Sequence, residues 1–313
     1  MALKIPLFAK RVAWFLGVRK KSQQTKVVGQ PAPENARYWS DVNVTEHQRF
    51  ANAAESLEYF HWRNSQYHPY IDLMPVAGQD GKAVLDYGCG PGNDLVGFSA
   101  YSKPRRLVGL DISLRSVAEA KARVALHSDS AEVKPIIEND DRIPLDDASM
   151  DYIHSSGVVH HAIDPAKVLR EFRRVLKPSG KCRIMIYNYD SLWLHLWVAY
   201  IKMYCDNAYP GMDLRTAFAR TTDGYHCPIA RVYRPQEFID LVEPCGFRCR
   251  YLGAAVSLFE TALLPRRFDA LYDINFAREH REFLLALKFD DRGYPMYNGA
   301  YAGLDGCFEL TPV

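Results

Sequence analysis

The feature that most constrains the fold is a short apolar run ending in glycines at alternate positions, Ala83-Val84-Leu85-Asp86-Tyr87-Gly88-Cys89-Gly90-Pro91-Gly92-Asn93. Such glycines let a backbone turn tightly and leave no Cβ between it and a ligand. A second apolar run, 107–111, also ends in an acid, and others follow at 133–137, 150–154 and 182–187. Helix-patterned segments lie between them. The clearest has Asp164 as N-cap, Pro165 at the first helical position and Val168, Leu169, Phe172, Val175 and Leu176 on one face, stopping at Lys177-Pro178-Ser179-Gly180. Strands alternating with helices imply βαβ units with right-handed crossovers. Runs at 247–255 and 306–310 add a sixth strand and a final antiparallel one. The expected fold is therefore α/β, a Rossmann-like seven-stranded, mostly parallel sheet with helices on both faces and a ligand at the strands' carboxyl ends.

Around this core the chain divides into five stretches. Residues 1–34 read as a basic amphipathic segment and linker, 35–80 as a helical cap with helical patterning over 46–63, and 81–190 as the cofactor-binding core. Residues 191–234 read as an insert or lid on the acceptor side, aromatic and helical over 192–209, and 235–313 complete the sheet. With 48% hydrophobic residues, 24% charged and a net charge of +2, the composition is that of a soluble globular protein. No Lys/Arg run interleaved with aromatics supports a nucleic-acid partner. No stretch approaches the roughly 20 apolar residues of a membrane span. Within 3–21, Ile5, Phe8, Val12, Phe15 and Leu16 share a helical face apart from Lys4, Lys10 and Arg11. That pattern suits peripheral contact with an anionic membrane and, equally, packing on the protein's own body. Seven cysteines, an odd number without Cys-x-x-Cys spacing, fit a reducing compartment and give no reason to expect a metal. The expected location is the cytoplasm, with the inner membrane face as the variant that residues 3–21 would support.

The glycine turn does not suit a dinucleotide, whose third glycine would fall where Asn93 stands and whose pyrophosphate Asp86 would repel. A carboxylate at the mouth of the turn suits an ammonium, and Asp111 at the tip of the second strand is placed to accept from both hydroxyls of a ribose. A ligand with a ribose, a cationic amino-acid tail and no phosphate is S-adenosylmethionine. Over 83–186 the chain resembles the class I S-adenosylmethionine-dependent methyltransferases, in the ubiquinone and menaquinone methyltransferase-like branch. Residues 86–92 are similar to the first motif, Gly109-Leu110-Asp111-Ile112-Ser113 to the second and Asp140-Asp141-Arg142-Ile143-Pro144-Leu145 to the third. Ser155-Ser156-Gly157-Val158-Val159-His160-His161 and residues 169–180 extend the resemblance. It implies cofactor contacts at Asp86, Gly88, Gly90, Gly92, Asp111, Ile112 and Ser156. It further implies an adenine contact from Asn139 or Asp140, Asn139 standing where the family usually has Asp.

A sulfonium methyl is already activated, so transfer needs in-line positioning of the acceptor, and a base only if the acceptor must lose a proton. His160 and His161, just past the fourth strand, lie where methyl and acceptor should meet; His226 is a third candidate, and the alternative for each is a structural or cofactor-contacting role. Asp223, Tyr225, Arg231 and Tyr233 share a polar loop suited to a hydroxylated acceptor, or else form a surface turn with a helix-flanking charge. The expected activity is O-methylation, with N-methylation second, of a small-molecule, sugar or lipid-linked glycan acceptor. The alternatives are a non-catalytic methyltransferase-like binding module and a nicotinamide-dependent oxidoreductase, the latter opposed by Asp86 and Asn93.

Overall fold

Successive side chains of a strand leave opposite faces of its sheet, and in Ala83–Tyr87 both faces are buried. Leu85 packs with Leu110, Ile153 and Phe172 on one side, Val84 with Leu107, Val133 and Phe98 on the other. The computed structural model describes residues 34–42, 49–128, 130–136 and 142–313. The segment 3–21 and the adenine candidates Asn139 and Asp140 lie outside the described residues.

The strands are β1 (Tyr67–His68), β2 (Ala83–Tyr87), β3 (Arg106–Asp111), β4 (Ala131–Pro135), β5 (Met150–Ser156), β6 (Leu176–Tyr187) and β7 (Phe247–Ser257). A small antiparallel sheet of β8 (Lys288–Phe289), β9 (Pro295–Tyr297) and β10 (Ala300–Tyr301) precedes β11 (Asp305–Pro312). The main sheet runs β1-β7-β11-β6-β5-β2-β3-β4. From β6 to β4 it is parallel, and β11 lies antiparallel between β6 and β7. Seven of these strands match the expected runs. The eighth, β1, is a two-residue edge strand paired Tyr67↔Ser257, too short to carry a period-2 pattern in the sequence.

The helix Pro165–Val175 starts as its sequence dictates, with the Asp164 side chain accepting from Lys167 N at 3.1 Å and Leu169, Phe172 and Val175 buried. It ends one residue early, because Leu176 already belongs to β6. Its polar flank fixes the segment after the undescribed 137–141. Glu171 accepts from Ile143 N at 2.7 Å, while Arg174 joins Glu171 at 2.6 Å and donates to the carbonyls of Ile143 and Leu145, each at 2.8 Å.

The cap helix runs Ala53–Ser65 from an Asn52 N-cap. Arg123 ties it to the core: its buried guanidinium donates to Ser56 Oγ at 2.9 Å, Ser56 O at 3.0 Å and Asn93 Oδ1 at 3.3 Å, and lies 4.5 Å from the Phe50 ring centroid. Burial lowers its pKa to about 10, yet the fork stays charged at neutral pH. Arg123→Met should cost about 2–4 kcal/mol, since it strands buried acceptors on two elements at once. Urea midpoints check this; an unchanged midpoint would show the clamp to be dispensable.

The insert after β6 forms a wide π-type helix, Trp193–Cys205. Leu192, Leu196 and Tyr200 pack with Phe276 and Phe283, whereas Leu194 and Val198 pack with Phe218 and Val232, so these residues fill core rather than roof a site. Beneath it Glu260 accepts from Ser257 N at 2.9 Å, Ser257 Oγ at 2.8 Å and Trp193 N at 3.2 Å. Burial pushes this carboxyl up to about 8 despite those donors. A folded pKa above the unfolded one, about 4.3, means a contribution present at acid pH and lost as pH rises through the folded value. The protein should therefore melt at lower temperature near pH 9 than near pH 5, and Glu260→Gln should shrink that difference in a thermal-shift series.

Among the described residues no helix is long and apolar enough to cross a membrane.

Candidate active site

The carboxyl ends of β2, β3 and β5 converge on a cavity of about 400 Å³. The turn after β2 has Gly88, Gly90 and Gly92 at φ +76°, +51° and +82°, a region that L side chains resist. A Cβ on Gly88 would lie 2.2 Å from Val158 Cγ2, and one on Gly92 3.2 Å from Ala120 Cα. At Gly90, which lines the cavity, it would meet nothing within 4 Å and would take up ligand space instead.

Asp111 caps this cradle. Its Oδ2 accepts from Gly90 N and its Oδ1 from Ser113 N, both at 2.8 Å, which fixes the carboxylate and leaves each oxygen a further lone pair at the cavity wall. Burial raises its pKa, offset in part by those two N–H groups. Ile112 and Ser156 line the same cavity, Ser156 Oγ lying 2.6 Å from Tyr70 Oη.

Asp86 lies behind the wall rather than on it, fully buried, and its Oδ2 finds no hydrogen-bond partner among the described residues. Burial, then the charges of Asp94 and Asp111, push its carboxyl well above the usual range. Asp94 lines the cavity; burial pushes it up, but the His154 Nε2 contact at 3.3 Å and the nearby Arg63 cation outweigh this and hold it at about 2. Arg63 comes from the last turn of the cap helix, 4.0 Å from Asp94 Oδ1 and stacked 4.6 Å from the Tyr70 ring centroid. The cavity thus offers an acid and a cation side by side, a match for an amino-acid zwitterion. Sequence reasoning assigned the cap helix to the site but missed Arg63, for nothing in a helical pattern tells which of its charges turns inward.

The three candidate histidines differ sharply. His161 lines the cavity; its Nδ1 donates to Ile229 O at 2.6 Å, so the lone pair of the neutral ring sits on Nε2, 3.7 Å from Asp223 Oδ2. Trp39 tilts against it, ring centroids 4.6 Å apart, and Asn35 donates to its carbonyl at 3.3 Å; both belong to the helix Glu34–Asp41 and line the cavity. His160 is fully buried against Tyr187, its ring nitrogens unpartnered among the described residues, and burial drives its pKa well down. His226 is exposed beside Tyr225.

None of the four acceptor-loop candidates lines the cavity directly. Asp223 is buried, its Oδ1 accepting from Tyr187 Oη at 2.7 Å and its carbonyl from the Tyr38 hydroxyl. Arg231 donates to the carbonyls of Ala162 at 2.6 Å and Ile163 at 3.1 Å, fixing the turn that follows His161. Tyr233 packs on Phe238 and Tyr225 is 57% exposed. The loop reaches the cavity through His161.

Residues 85–184 match the family model of a methyltransferase domain. A 37.1 kDa protein in a transposon of Streptomyces fradiae is 33% identical over 155 residues, 48% of this chain and 39% of that protein. The malonyl-acyl-carrier-protein O-methyltransferase of Marinomonas sp. is 30% identical over 135 residues, 42% of this chain and 48% of that enzyme. The chain spans less than half the length of each. Among solved structures, the complex between the Haloferax volcanii Trm112 methyltransferase activator and a methyltransferase contains a chain of like fold, TM-score 0.52 at 19% identity, over 85% of this chain and 100% of that one. The match to a methyltransferase domain thus lies over residues 85–184, and the fold is shared with the Haloferax chain. The glycine cradle, the Asp111 carboxylate and the Asp94–Arg63 pair fit S-adenosylmethionine.

Proposed function

We propose that the chain transfers the methyl group of S-adenosylmethionine to an oxygen of a small-molecule, sugar or lipid-linked glycan acceptor, with nitrogen as the second acceptor atom. The observation that carries this reading is the joining of the Gly88–Gly92 cradle and Asp111 to His161 in one cavity. Asp111 would hold the ribose hydroxyls, the glycine turn the backbone of the amino-acid tail, and Arg63 with Asp94 its carboxylate and ammonium. The cofactor supplies a sulfonium-activated methyl, so the protein's task is alignment. Trp39, Val42 and Asn35 wall the side where an acceptor would lie, and His161 lines the same cavity with its Nε2 3.7 Å from Asp223 Oδ2. A hydroxyl acceptor would yield its proton to that nitrogen or to a group that the nitrogen holds. The O-methylating Marinomonas relative supports oxygen as the acceptor atom; the ubiquinone and menaquinone methyltransferase-like branch rests on the resemblance of the sequence motifs alone.

The test is calorimetric titration with S-adenosylhomocysteine and, separately, NAD, followed by label transfer from methyl-tritiated cofactor to a panel of phenols, sugars and amines. Binding of the first ligand with transfer to a panel member supports the proposal. Binding without any transfer favours a non-catalytic module, and preference for NAD rejects both.

A further inference from the structure

Three side chains that the cofactor does not need come together behind the acceptor wall. His161, Asp223 and Cys227 are 5%, 1% and 2% exposed, and one donor atom from each lies within 4.8 Å of the other two. His161 follows β5, whereas the other two belong to the loop after the helix Leu214–Thr222, so no sequence spacing announces the cluster. A single carbonyl organises it: Ile229 O accepts from His161 Nδ1 at 2.6 Å and from Cys227 Sγ at 3.4 Å. The Nδ1 bond leaves Nε2 as the ligand nitrogen, and the Tyr187 hydroxyl on Asp223 Oδ1 leaves Oδ2 turned towards it, 3.7 Å away. Donors around a tetrahedral zinc are about 3.3–3.8 Å apart, given metal–ligand bonds of about 2.0–2.3 Å.

We propose that His161 Nε2, Asp223 Oδ2 and Cys227 Sγ bind one zinc-like divalent ion, with a fourth position open to the acceptor's oxygen. A neutral imidazole, a carboxylate and a thiolate would together neutralise the ion, and a mixed N/O/S set suits a borderline-soft metal. Burial, then the Asp223 charge, push the Cys227 thiol up to about 12, so the ion must displace its proton to solvent on binding. Three protein ligands with one open position is the arrangement of catalytic rather than structural zinc. His161 is the ligand that also lines the cavity. Coordination there would lower the acceptor's pKa, its proton passing to solvent before the methyl arrives. The role of the ion rests on the methyl-transfer reading; its binding does not.

The experiment titrates the full, reduced, metal-stripped chain with Co²⁺ and follows its absorption, with S-adenosylhomocysteine binding measured on the same samples. One equivalent should bring tetrahedral d–d bands and a thiolate-to-cobalt charge-transfer band, both erased by Zn²⁺. Cys227→Ser should abolish the charge-transfer band and Asp223→Asn should weaken Co²⁺ binding at least about tenfold while keeping that band. Cys205→Ser, at the exposed cysteine, should change neither. Absence of the band in protein that binds S-adenosylhomocysteine, or its survival in Cys227→Ser, would overturn the proposal. Should Cys227→Ser misfold, as loss of S-adenosylhomocysteine binding would reveal, Asp223→Asn decides: undiminished Co²⁺ affinity there also overturns it. A protein that shows the cobalt spectrum but never transfers a methyl keeps the site and loses its role.

Discussion

Asp111→Asn should lower affinity for S-adenosylhomocysteine by about 100-fold, the worth of two charge-assisted hydrogen bonds at about 1.5 kcal/mol each. The isostere keeps the volume but loses more than charge. Both carboxylate oxygens already accept a backbone N–H, from Gly90 and from Ser113. An amide in this place must point its NH₂ at one of those donors, so either the glycine turn or the start of the helix Leu114–Val124 gives way, and on the proposed binding mode one ribose hydroxyl would lose its acceptor. Calorimetry on the variant and parent measures the loss, with melting temperature as a check on folding. An affinity within threefold of the parent's would mean that Asp111 shapes the turn without touching the ligand.

Most of the fold was legible because its elements carry strong local signals. A parallel sheet buried on both faces needs continuous apolar strands, and Asp164-Pro165 is an N-terminal signal that little else in a chain imitates. The edge strand β1 was not legible, since two residues have no period. The glycine turn was readable for a different reason: its backbone takes positive φ at Gly88, Gly90 and Gly92, and at Gly88 the Val158 side chain leaves no room for a Cβ. The surroundings of His161 rest on tertiary placement. His160 and His161 are neighbours with similar prospects in the sequence, yet one turn of backbone after β5 sends the first into the core against Tyr187 and the second to the cavity. Asp223-Gly224 looks like a surface turn, and its burial becomes apparent only with Tyr187 above one oxygen and Tyr38 on its carbonyl. The same holds for Arg63, whose neighbours Tyr70 and Asp94 come from other elements.

His161→Asn should reduce methyl transfer by about 10²–10⁴-fold while leaving S-adenosylhomocysteine affinity within about threefold. The separation follows from geometry. The imidazole meets Trp39, Ile229 and Asp223, whereas the glycine turn, Asp111 and Arg63 reach the cavity from other strands and the cap helix, so truncation should leave the cofactor's contacts standing. Asparagine can still donate to Ile229 O through its amide, which preserves that loop contact, but it offers no basic nitrogen to an acceptor and none to a metal. The measurement is label transfer to whichever acceptor the parent methylates, beside calorimetry on the same preparation. Loss of transfer and binding together would make His161 a structural residue. Full transfer would remove it from the chemistry and leave alignment alone to account for the rate, as an acceptor with no proton to lose would permit.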